Sequence, residues 1–125
     1  YYVQYAHARI CSIFEKYQQE TGEKLPSGWA GVDFSLLKEK EEIDLIKLLI
    51  HFPDLLEGAA LAMEPLRIPN YLNELCTQFH SFYTKHRVRV EEKGLREARL
   101  GLIAATRTVI RNALALLGVS APEKM

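Results

Sequence analysis

Two tyrosine–arginine pairs have the residue types and spacing to bind single-stranded nucleic acid. Tyr5 is followed by Arg9, and Tyr83 by Arg87, so in a helix each arginine lies one turn after its tyrosine. A tyrosine ring gives an unstacked base a flat face, and an arginine can bind the neighbouring phosphate or stack as a planar cation. Tyr2, one turn before Tyr5, extends the first pair. A tyrosine at the edge of a core has the same appearance in a sequence, and on spacing alone that explanation is the more common one.

A second set of residues has the spacing of a metal site. His7 and Cys11 are four residues apart, as are Cys76 and His80, so two helices could together present a Cys2His2 zinc site. The alternative is that both cysteines border apolar stripes as small hydrophobic residues. Structural zinc sites more often use a short Cys-x-x-Cys motif, which this chain lacks. We therefore expect no bound metal.

Common catalytic motifs are missing from the chain. There is no Gly-x-x-x-x-Gly-Lys, Gly-x-Gly-x-x-Gly, Gly-x-Ser-x-Gly or His-Glu-x-x-His sequence. These motifs mark phosphate-binding loops, dinucleotide sites, hydrolase nucleophiles and zinc proteases respectively. We therefore expect no catalytic residue in this chain.

Charge is unevenly distributed, although the 125 residues together have a formal net charge of zero. Residues 33–64 contain eight acidic and three basic residues, whereas residues 84–111 contain eight basic and three acidic residues. The zero net charge argues against a nonspecific nucleic-acid binder. The basic segment could face phosphate groups, or both segments could be solvated helix faces, and composition does not separate these two explanations.

Hydrophobic periodicity is helical along nearly the whole chain and predicts an all-α bundle of five helices. We expect Asp33 or Ser35 to cap the second helix, and Pro53 and Pro69 to begin the third and fourth. The predicted helices span about residues 2–21, 35–51, 53–64 and 95–117, and the fourth begins at Pro69 and has Tyr83 and Arg87 at its end.

Glycines are expected to end the first and last helices, and a loop is expected after the first. Gly22 and Gly118 are expected to end the first and last helices in the left-handed conformation, with Val119 packing back after the second glycine. The segment Glu23–Phe34 contains Pro26, Gly28 and Gly31 and is predicted to be a loop in which Trp29 folds back onto the core.

The predicted buried faces follow helical spacing. They comprise Val3, Ala6, Ile10, Ile13, Phe14 and Tyr17 in the first helix, and Leu36, Leu37, Ile43, Ile46, Leu49 and Ile50 in the second. They also comprise Leu72, Leu75, Phe79 and Phe82 in the fourth helix, and Leu95, Ala98, Leu102, Ala105, Val109 and Leu116 in the fifth.

Length and composition suit one globular domain covering residues 1–125. Hydrophobic residues make up 48% of the chain, yet no apolar run approaches the roughly 20 residues that a membrane span needs. The first residues are aromatic and polar, unlike a signal peptide. Two cysteines do not form a disulfide framework, so we expect a cytoplasmic protein without a membrane segment.

Both ends of the chain resemble the C-terminal anticodon-binding (DALR) domain of arginyl-tRNA synthetase. Residues 2–9 read Tyr-Val-Gln-Tyr-Ala-His-Ala-Arg, similar to the family's Tyr-x-Gln-Tyr-Ala-His-x-Arg. Residues 116–125 read Leu-Leu-Gly-Val-Ser-Ala-Pro-Glu-Lys-Met, similar to the family's Leu-Leu-Gly-(Ile/Val)-x-Ala-Pro-Glu-Arg-Met, which ends on methionine. Between the two ends, Phe82-Tyr83, Arg87-Val88 and Arg96-x-x-Arg99-Leu100-x-Leu102 also follow the family pattern. Lys124 stands where the family usually has arginine. It keeps the positive charge, but lysine cannot form the two parallel hydrogen bonds of a guanidinium.

The resemblance implies that the chain is the C-terminal part of a bacterial, cytoplasmic synthetase and ends at the native C-terminus. The parent enzyme would join arginine to its tRNA with ATP and Mg²⁺. This part would recognise tRNA, since it lacks the His-x-Gly-His and Lys-Met-Ser-Lys-Ser signatures of the catalytic domain and needs no cofactor of its own. The expected partners are the anticodon loop of arginine tRNA and the catalytic domain of the same chain, within a monomer.

The resemblance also implies which residues meet the anticodon loop. The family's helix-one tyrosine, its Phe-Tyr in the fourth helix and its last methionine match Tyr5, Phe82-Tyr83 and Met125. Tyrosines would hold unstacked bases, arginines would neutralise phosphates, and the backbone from residue 120 to 125 would bond base edges. The expected nucleic-acid-binding residues are Tyr2, Tyr5, Arg9, Tyr83, Arg87, Ser120 and Met125. Whether Arg96, Arg99, Arg107 and Arg111 contact tRNA or brace the fold is left open.

Two other functions fit the same helical pattern. One is the equivalent domain of another synthetase, such as the large subunit of the glycyl enzyme or the cysteinyl enzyme, but the Ala-Pro-Glu-Lys-Met ending speaks against both. The other is a protein-interaction module that binds a partner helix in a groove. It predicts an exposed apolar patch and no salt-dependent binding of RNA.

Overall fold

The computed structural model describes residues 1–25 and 28–125 and shows four α-helices with one turn of 3-10 helix. The helices are α1 (Tyr2–Thr21), α2 (Lys40–Ala62), α3 (Arg67–Lys85) and α4 (Lys93–Leu116), and the 3-10 turn spans Phe34–Leu36. These described ranges contain no β-strand. The prediction of an all-helical chain is confirmed, but the predicted count of five helices is wrong.

The predicted third helix is not separate, because α2 runs through Pro53, its predicted start. A proline inside a helix leaves one carbonyl without its N–H partner and costs about 3 kcal/mol. That carbonyl belongs to Leu49, one turn before the proline. Its neighbour Phe52 is buried and stacks on Tyr71 of α3, with ring centres 5.5 Å apart. Packing of α2 against α3 therefore outweighs the local cost of the proline.

Helices α2 and α3 begin at residues other than those predicted. The Asp33 side chain accepts a hydrogen bond from the backbone N–H of Ser35 at 3.0 Å, but it caps the 3-10 turn. Helix α2 is capped by Glu39, whose backbone N–H donates to Oε1 of Glu42 at 3.0 Å in a capping box. Helix α3 begins two residues before Pro69, which lies in the first turn, where no N–H is needed.

The two predicted glycine stops are confirmed. Gly22 has a φ of 70° and Gly118 a φ of 71°, in the left-handed region that glycine enters without strain. After α4, Val119 N–H donates to the Leu114 carbonyl at 2.9 Å and Gly118 N–H to the Ala115 carbonyl at 3.0 Å. These are the two bonds of a Schellman motif, and they turn the last residues back toward the bundle.

One continuous core takes residues from all four helices. The predicted stripes of α1 and α3 are confirmed, since all of these residues are buried or half-buried. The faces predicted for α2 and α4 are wrong in part, because an isolated periodicity does not say which face of a helix its neighbours cover. Four residues predicted inside, Ile43, Ile50, Ala105 and Leu116, are exposed, while Leu45, Phe52, Ile103 and Ile110 are buried.

The segment between α1 and α2 packs onto α4 through two aromatic rings. A Cβ atom at Gly101 of α4 would lie 2.6 Å from the ring of Phe34 and 3.1 Å from the ring of Trp29. Glycine at this position therefore allows both rings to approach the helix backbone. The predicted return of Trp29 to the core is confirmed, whereas Pro26 of the same predicted loop lies outside the described residues.

Contacts between helices bring the end of α3 beside the middle of α1. Helix α2 runs antiparallel to α3. The buried hydroxyl of Tyr71 in α3 donates a hydrogen bond to the Leu48 carbonyl of α2 at 2.6 Å. Burial raises the pKa of this tyrosine to about 12. Along α1, Tyr2 lies against His80 and Arg9 against Tyr83. Residues 86–89, which follow α3, therefore lie beside the second half of α1.

Candidate nucleic-acid interface

A groove of about 510 Å³ lies between α1 and the end of α3 with the residues that follow it. Its apolar lining comes from Ile13, Val88 and the ring of Tyr17. Four basic side chains line it as well, from Arg9, Lys16, Arg87 and Arg89, together with one carboxylate, Glu20. The groove thus combines apolar surface with an excess of positive charge, as a site for an unstacked nucleotide requires.

Arg9 and Tyr83 meet at this groove. The guanidinium carbon of Arg9 lies 5.5 Å from the centre of the Tyr83 ring, within the range of a cation–π contact. The Tyr83 ring is half-buried and stacks on Phe79, with centres 5.8 Å apart and planes 19° apart. The rings of Phe79 and Tyr83 and the guanidinium of Arg9 therefore form a row. A base can stack on the planar guanidinium at its end.

Tyr2 extends this surface along α1. Its ring lies 5.7 Å from the ring of His80, and its hydroxyl lies 3.4 Å from the hydroxyl of Thr77. Burial, together with the positive charge of Arg9, lowers the pKa of His80. Tyr5 is exposed on the same side of α1, between Tyr2 and Arg9. The structure therefore aligns Tyr2, Tyr5 and Arg9 on one helix face beside Tyr83.

Arg87 is exposed, but its backbone is held by Arg99 of α4. Nη1 of Arg99 donates to the Arg87 carbonyl at 2.7 Å, and Nε of the same guanidinium donates to Oε2 of Glu42 at 2.8 Å. Arg99 and Glu42 are both buried. Arg99 therefore braces the fold, and it fixes the backbone from which the Arg87 side chain enters the groove.

Arg96 and Arg107 also have structural contacts. Nη1 of Arg96 donates to the carbonyls of Val90 and Glu91, at 3.1 and 3.3 Å, and so holds the turn before α4. The guanidinium of Arg107 lies 4.6 Å from the centre of the Phe14 ring inside the bundle. Arg111, in contrast, is exposed on α4.

The turn after α3 is fixed at two further points that the sequence did not reveal. Nε2 of His86 lies 2.7 Å from Oε1 of Glu41, and this hydrogen bond is the main reason that the pKa of Glu41 is lowered. Arg89 forms a salt bridge with Glu20 across the groove. Lys16 and Arg89 were missed as groove residues, although Lys16 lies two turns after Arg9 and helical spacing would have placed it on the same face.

The last residues lie against the first turns of α1. Nε2 of Gln4 donates to the Ser120 carbonyl at 3.0 Å, and Nδ1 of His7 lies 2.9 Å from the Pro122 carbonyl oxygen. Met125 is 63% exposed. The structure thus brings Ser120 to α1, while the Met125 side chain faces solvent.

The alternative zinc site does not assemble. Within residues 1–25 and 28–125, no three His, Cys, Asp or Glu side chains are close enough to share a metal ion. Sγ of Cys11 lies 3.8 Å from Nδ1 of His7, and Cys76 is completely buried elsewhere in the core. Burial raises the pKa of the Cys76 thiol to about 12, which opposes the thiolate form that zinc binds.

In the part of the chain that the structure describes, no helix is long and apolar enough to cross a bilayer.

Comparisons with known proteins identify one family. Residues 3–125 match the family model described as the DALR anticodon binding domain. The chain is 54% identical to the arginine–tRNA ligase of Magnetococcus marinus and 55% identical to that of Geobacter metallireducens, in each case over all of this chain and 22% of the relative. The chain therefore spans about a fifth of the length of these curated relatives.

Solved structures give the same result. The putative arginyl-tRNA synthetase of Campylobacter jejuni superposes with a TM-score of 0.84 at 30% identity, covering 100% of this chain and 26% of that protein. The arginyl-tRNA synthetase of Thermus thermophilus gives a TM-score of 0.81 at 31% identity, covering 99% of this chain and 21% of that protein. The resemblance inferred from the two ends of the sequence is confirmed, and the chain belongs to the DALR anticodon-binding domain family.

Proposed function

We propose that this chain recognises the anticodon loop of arginine tRNA as part of an arginine–tRNA ligase. The main support is the position of Arg9, 5.5 Å from the centre of the Tyr83 ring, at a groove with three further basic side chains. Stacking surface and positive charge are the two things that a single-stranded RNA loop requires of its receptor.

In this proposal the exposed rings bind bases and the basic side chains bind phosphates. Tyr2 and Tyr5, which are 44% and 50% exposed, offer free faces on α1. Tyr83 is less accessible, so an incoming base would stack beside Arg9 at the end of the aromatic row. Arg87, with its backbone fixed by Arg99, would neutralise the adjacent phosphate. Each base stacked on an aromatic ring stabilises such a complex by about 1–3 kcal/mol.

The residues from Ser120 to Met125 supply the third part of the proposed site. Their chain lies against the first turns of α1 and is fixed there by Gln4 and His7. Exposed backbone N–H groups in this segment can donate to acceptor atoms on base edges, which distinguishes bases where stacking does not.

The proposal extends to a parent enzyme that joins arginine to its tRNA with ATP and Mg²⁺ in the cytoplasm. Such reactants would bind a catalytic domain, because this chain carries none of the nucleotide-binding motifs.

The turn between α2 and α3 has a surface suited to that domain. Leu61, Met63 and Leu66 are 74–86% exposed there, and an apolar cluster of this kind commonly marks a protein contact. We propose that the parent is a monomer in which this turn contacts the catalytic domain.

Binding to an anticodon stem-loop tests the proposal. The chain is titrated with the arginine-tRNA stem-loop at two salt concentrations, and with a stem-loop in which the middle anticodon base is changed. We expect affinity to fall as salt rises, because phosphate contacts release counterions, and to be lower for the altered loop. Equal affinity for both loops would reduce the interaction to nonspecific electrostatics.

A pair of arginine variants locates the contact. Arg87→Ala should weaken binding and reduce its salt dependence by about one phosphate contact. The control is Arg67→Ala, since Arg67 is exposed but lies about 24 Å along α3 from Tyr83, at 1.5 Å per residue. An equal effect of both substitutions would contradict the proposed position of the site. Absence of RNA binding by the unmodified chain would instead favour the interaction-module alternative, with the apolar α2–α3 turn as its surface.

A further inference from the structure

The carbonyl groups of the last residues, and not their N–H groups, hold them on α1. The Ser120 carbonyl accepts from Gln4 at 3.0 Å, and the Pro122 carbonyl lies 2.9 Å from Nδ1 of His7. Between these two points Ala121 is half-buried and packs against the core. The two side chains thus form a clasp, which we define as Gln4 and His7, around the segment from 119 to 125.

The closest polar contact of His7 is with the end of the chain. A carbonyl oxygen only accepts, so Nδ1 of His7 must carry the hydrogen and Nε2 is left as the acceptor. The side chain is 2% exposed, and Nε2 has no hydrogen-bond partner among the described residues. An unpartnered buried polar atom is unfavourable. A purely apolar side chain would fill this place in the core without that cost. The shorter of the two polar contacts of His7 is with the Pro122 carbonyl at 2.9 Å, and the other is with the Cys11 thiol at 3.8 Å.

The clasp leaves the N–H groups of the segment open. Within the described residues, no acceptor is recorded for the backbone N–H of residues 120, 121, 123, 124 or 125. Pro122 has no N–H. Two carbonyls of the segment, those of Ser120 and Pro122, are engaged, whereas these N–H groups are not, so the segment keeps hydrogen-bond donors for a ligand. Such donors are complementary to acceptor atoms of a base edge or a phosphate.

We propose that Gln4 and His7 are positioning residues for anticodon recognition, acting through the segment 119–125 and not by contacting RNA. This inference rests on the proposed function. A segment that is already ordered loses less conformational entropy when it binds a ligand, so the clasp raises affinity without adding an RNA contact. Removal of the clasp should therefore cost affinity only while the segment is present.

The order of the segment is tested by ¹⁵N heteronuclear NOE measurements on the 125-residue chain, which has its own continuous core. His7→Leu fills the same buried space but has no donor, whereas His7→Asn places an amide nitrogen near the position of Nδ1. We expect the NOE values of Ser120, Ala121 and Glu123 to fall in His7→Leu and to remain high in His7→Asn. His51→Leu, on the exposed face of α2, is the matched control. Unchanged NOE values in His7→Leu would overturn the proposal.

The effect on RNA binding is tested by a double-mutant cycle. His7→Leu is combined with a chain that ends at Val119, and all four proteins are titrated with the arginine-tRNA stem-loop. We expect His7→Leu to weaken binding about tenfold in the full chain and to have no effect in the shortened chain. An equal effect in both would show that His7 does not act through the segment, and would overturn the proposal.

The two proposals fail in different ways. If shortening the chain weakens binding but His7→Leu does not, the clasp is overturned while the proposed function stands. If the shortened and full chains bind equally, the segment has no part in recognition, and that part of the proposed function fails together with the positioning role. The NOE values then still decide whether His7 holds the segment.

Discussion

Arg9 of α1 lies with its guanidinium carbon 5.5 Å from the centre of the Tyr83 ring of α3. The sequence pairs each of these residues with a different partner, Tyr5 for Arg9 and Arg87 for Tyr83, at one-turn spacing. The fold adds a third pairing between the helices. The two tyrosine–arginine pairs therefore form one surface, and substitutions in either helix should affect the same ligand.

Tyr83→Ala should weaken binding of the arginine anticodon stem-loop without unfolding the chain. The substitution removes the ring between Phe79 and Arg9, and we expect a loss of about 1–3 kcal/mol in binding free energy. Titration gives the affinity, and a thermal melt gives the stability. Tyr83→Phe, which retains the ring, should bind nearly as well as the unmodified chain. Unchanged binding by Tyr83→Ala, together with a normal melting curve, would exclude Tyr83 from the site.

Removal of one partner of the buried Glu42–Arg99 pair should strongly destabilise the fold. Glu42 is 0% exposed and accepts from both Arg99 and the backbone of Glu39. Arg99→Leu leaves a buried carboxylate without its cation, which costs about 3–5 kcal/mol. The free energy of unfolding, measured in urea, gives the loss. The double variant Glu42→Leu with Arg99→Leu should recover part of it, because no buried charge remains. A double variant less stable than either single one would contradict this account.

Gly101→Ala should displace the aromatic segment that precedes α2. Its new methyl group would lie 2.6 Å from the Phe34 ring, which can move outward because Phe34 is 39% exposed. We expect a loss of about 1–3 kcal/mol, as for other overpacked positions. Trp29 is the only tryptophan of the chain, so its fluorescence should shift to longer wavelength.

A second glycine in a helix serves as the control for that experiment. A Cβ at Gly58 of α2 would meet only the end of the flexible Arg67 side chain, at 3.1 Å. Gly58→Ala should therefore leave the fluorescence unchanged and raise stability by up to about 1 kcal/mol through helix propensity. If both substitutions left the Trp29 spectrum unchanged, the packing of this segment on Gly101 would be refuted.

The lowered pKa of His80 should make the fold less stable in mild acid. Burial and the charge of Arg9 hold this pKa below its ordinary value of 6.5, so the unfolded chain takes up the proton more readily than the folded chain. Stability is then fully present above pH 6.5 and is lost as the pH falls through the lower folded value. Urea denaturation between pH 7.5 and 5 should show a smaller decline for His80→Asn than for the unmodified chain.

The matched substitution for the pH experiment is His51→Asn on the exposed surface of α2. An equally reduced decline in His51→Asn and His80→Asn would mean that the effect is not specific to His80. Glu41, whose pKa is also lowered, gives up its stabilisation only as the pH falls below its ordinary value of 4.5. The effects of His80 and Glu41 on stability therefore occupy different pH ranges. Identical pH profiles for His80→Asn and the unmodified chain would rule out the contribution of His80.

Local signals in the sequence were enough for much of this description. The spacing of Ile10, Phe14 and Tyr17 in α1 identified the buried face, because it repeats with the period of a helix over several turns. Gly22 and Gly118 identified two helix ends, since their left-handed conformation is easy only for glycine. The two end motifs identified the family.

Only the tertiary structure decided the remaining features. Helix α2 continues through Pro53 because packing of Phe52 on Tyr71 outweighs a local preference, and no local pattern contains that contact. The roles of Arg99 and His7 depend on partners 57 and 115 residues away in the chain. Spacing along a helix shows which side chains share a face, but it does not show what covers that face. By itself the sequence determined the all-helical character, the two glycine helix ends and the family, whereas the number of helices, the groove, the buried ion pair and the clasp arise from contacts between helices.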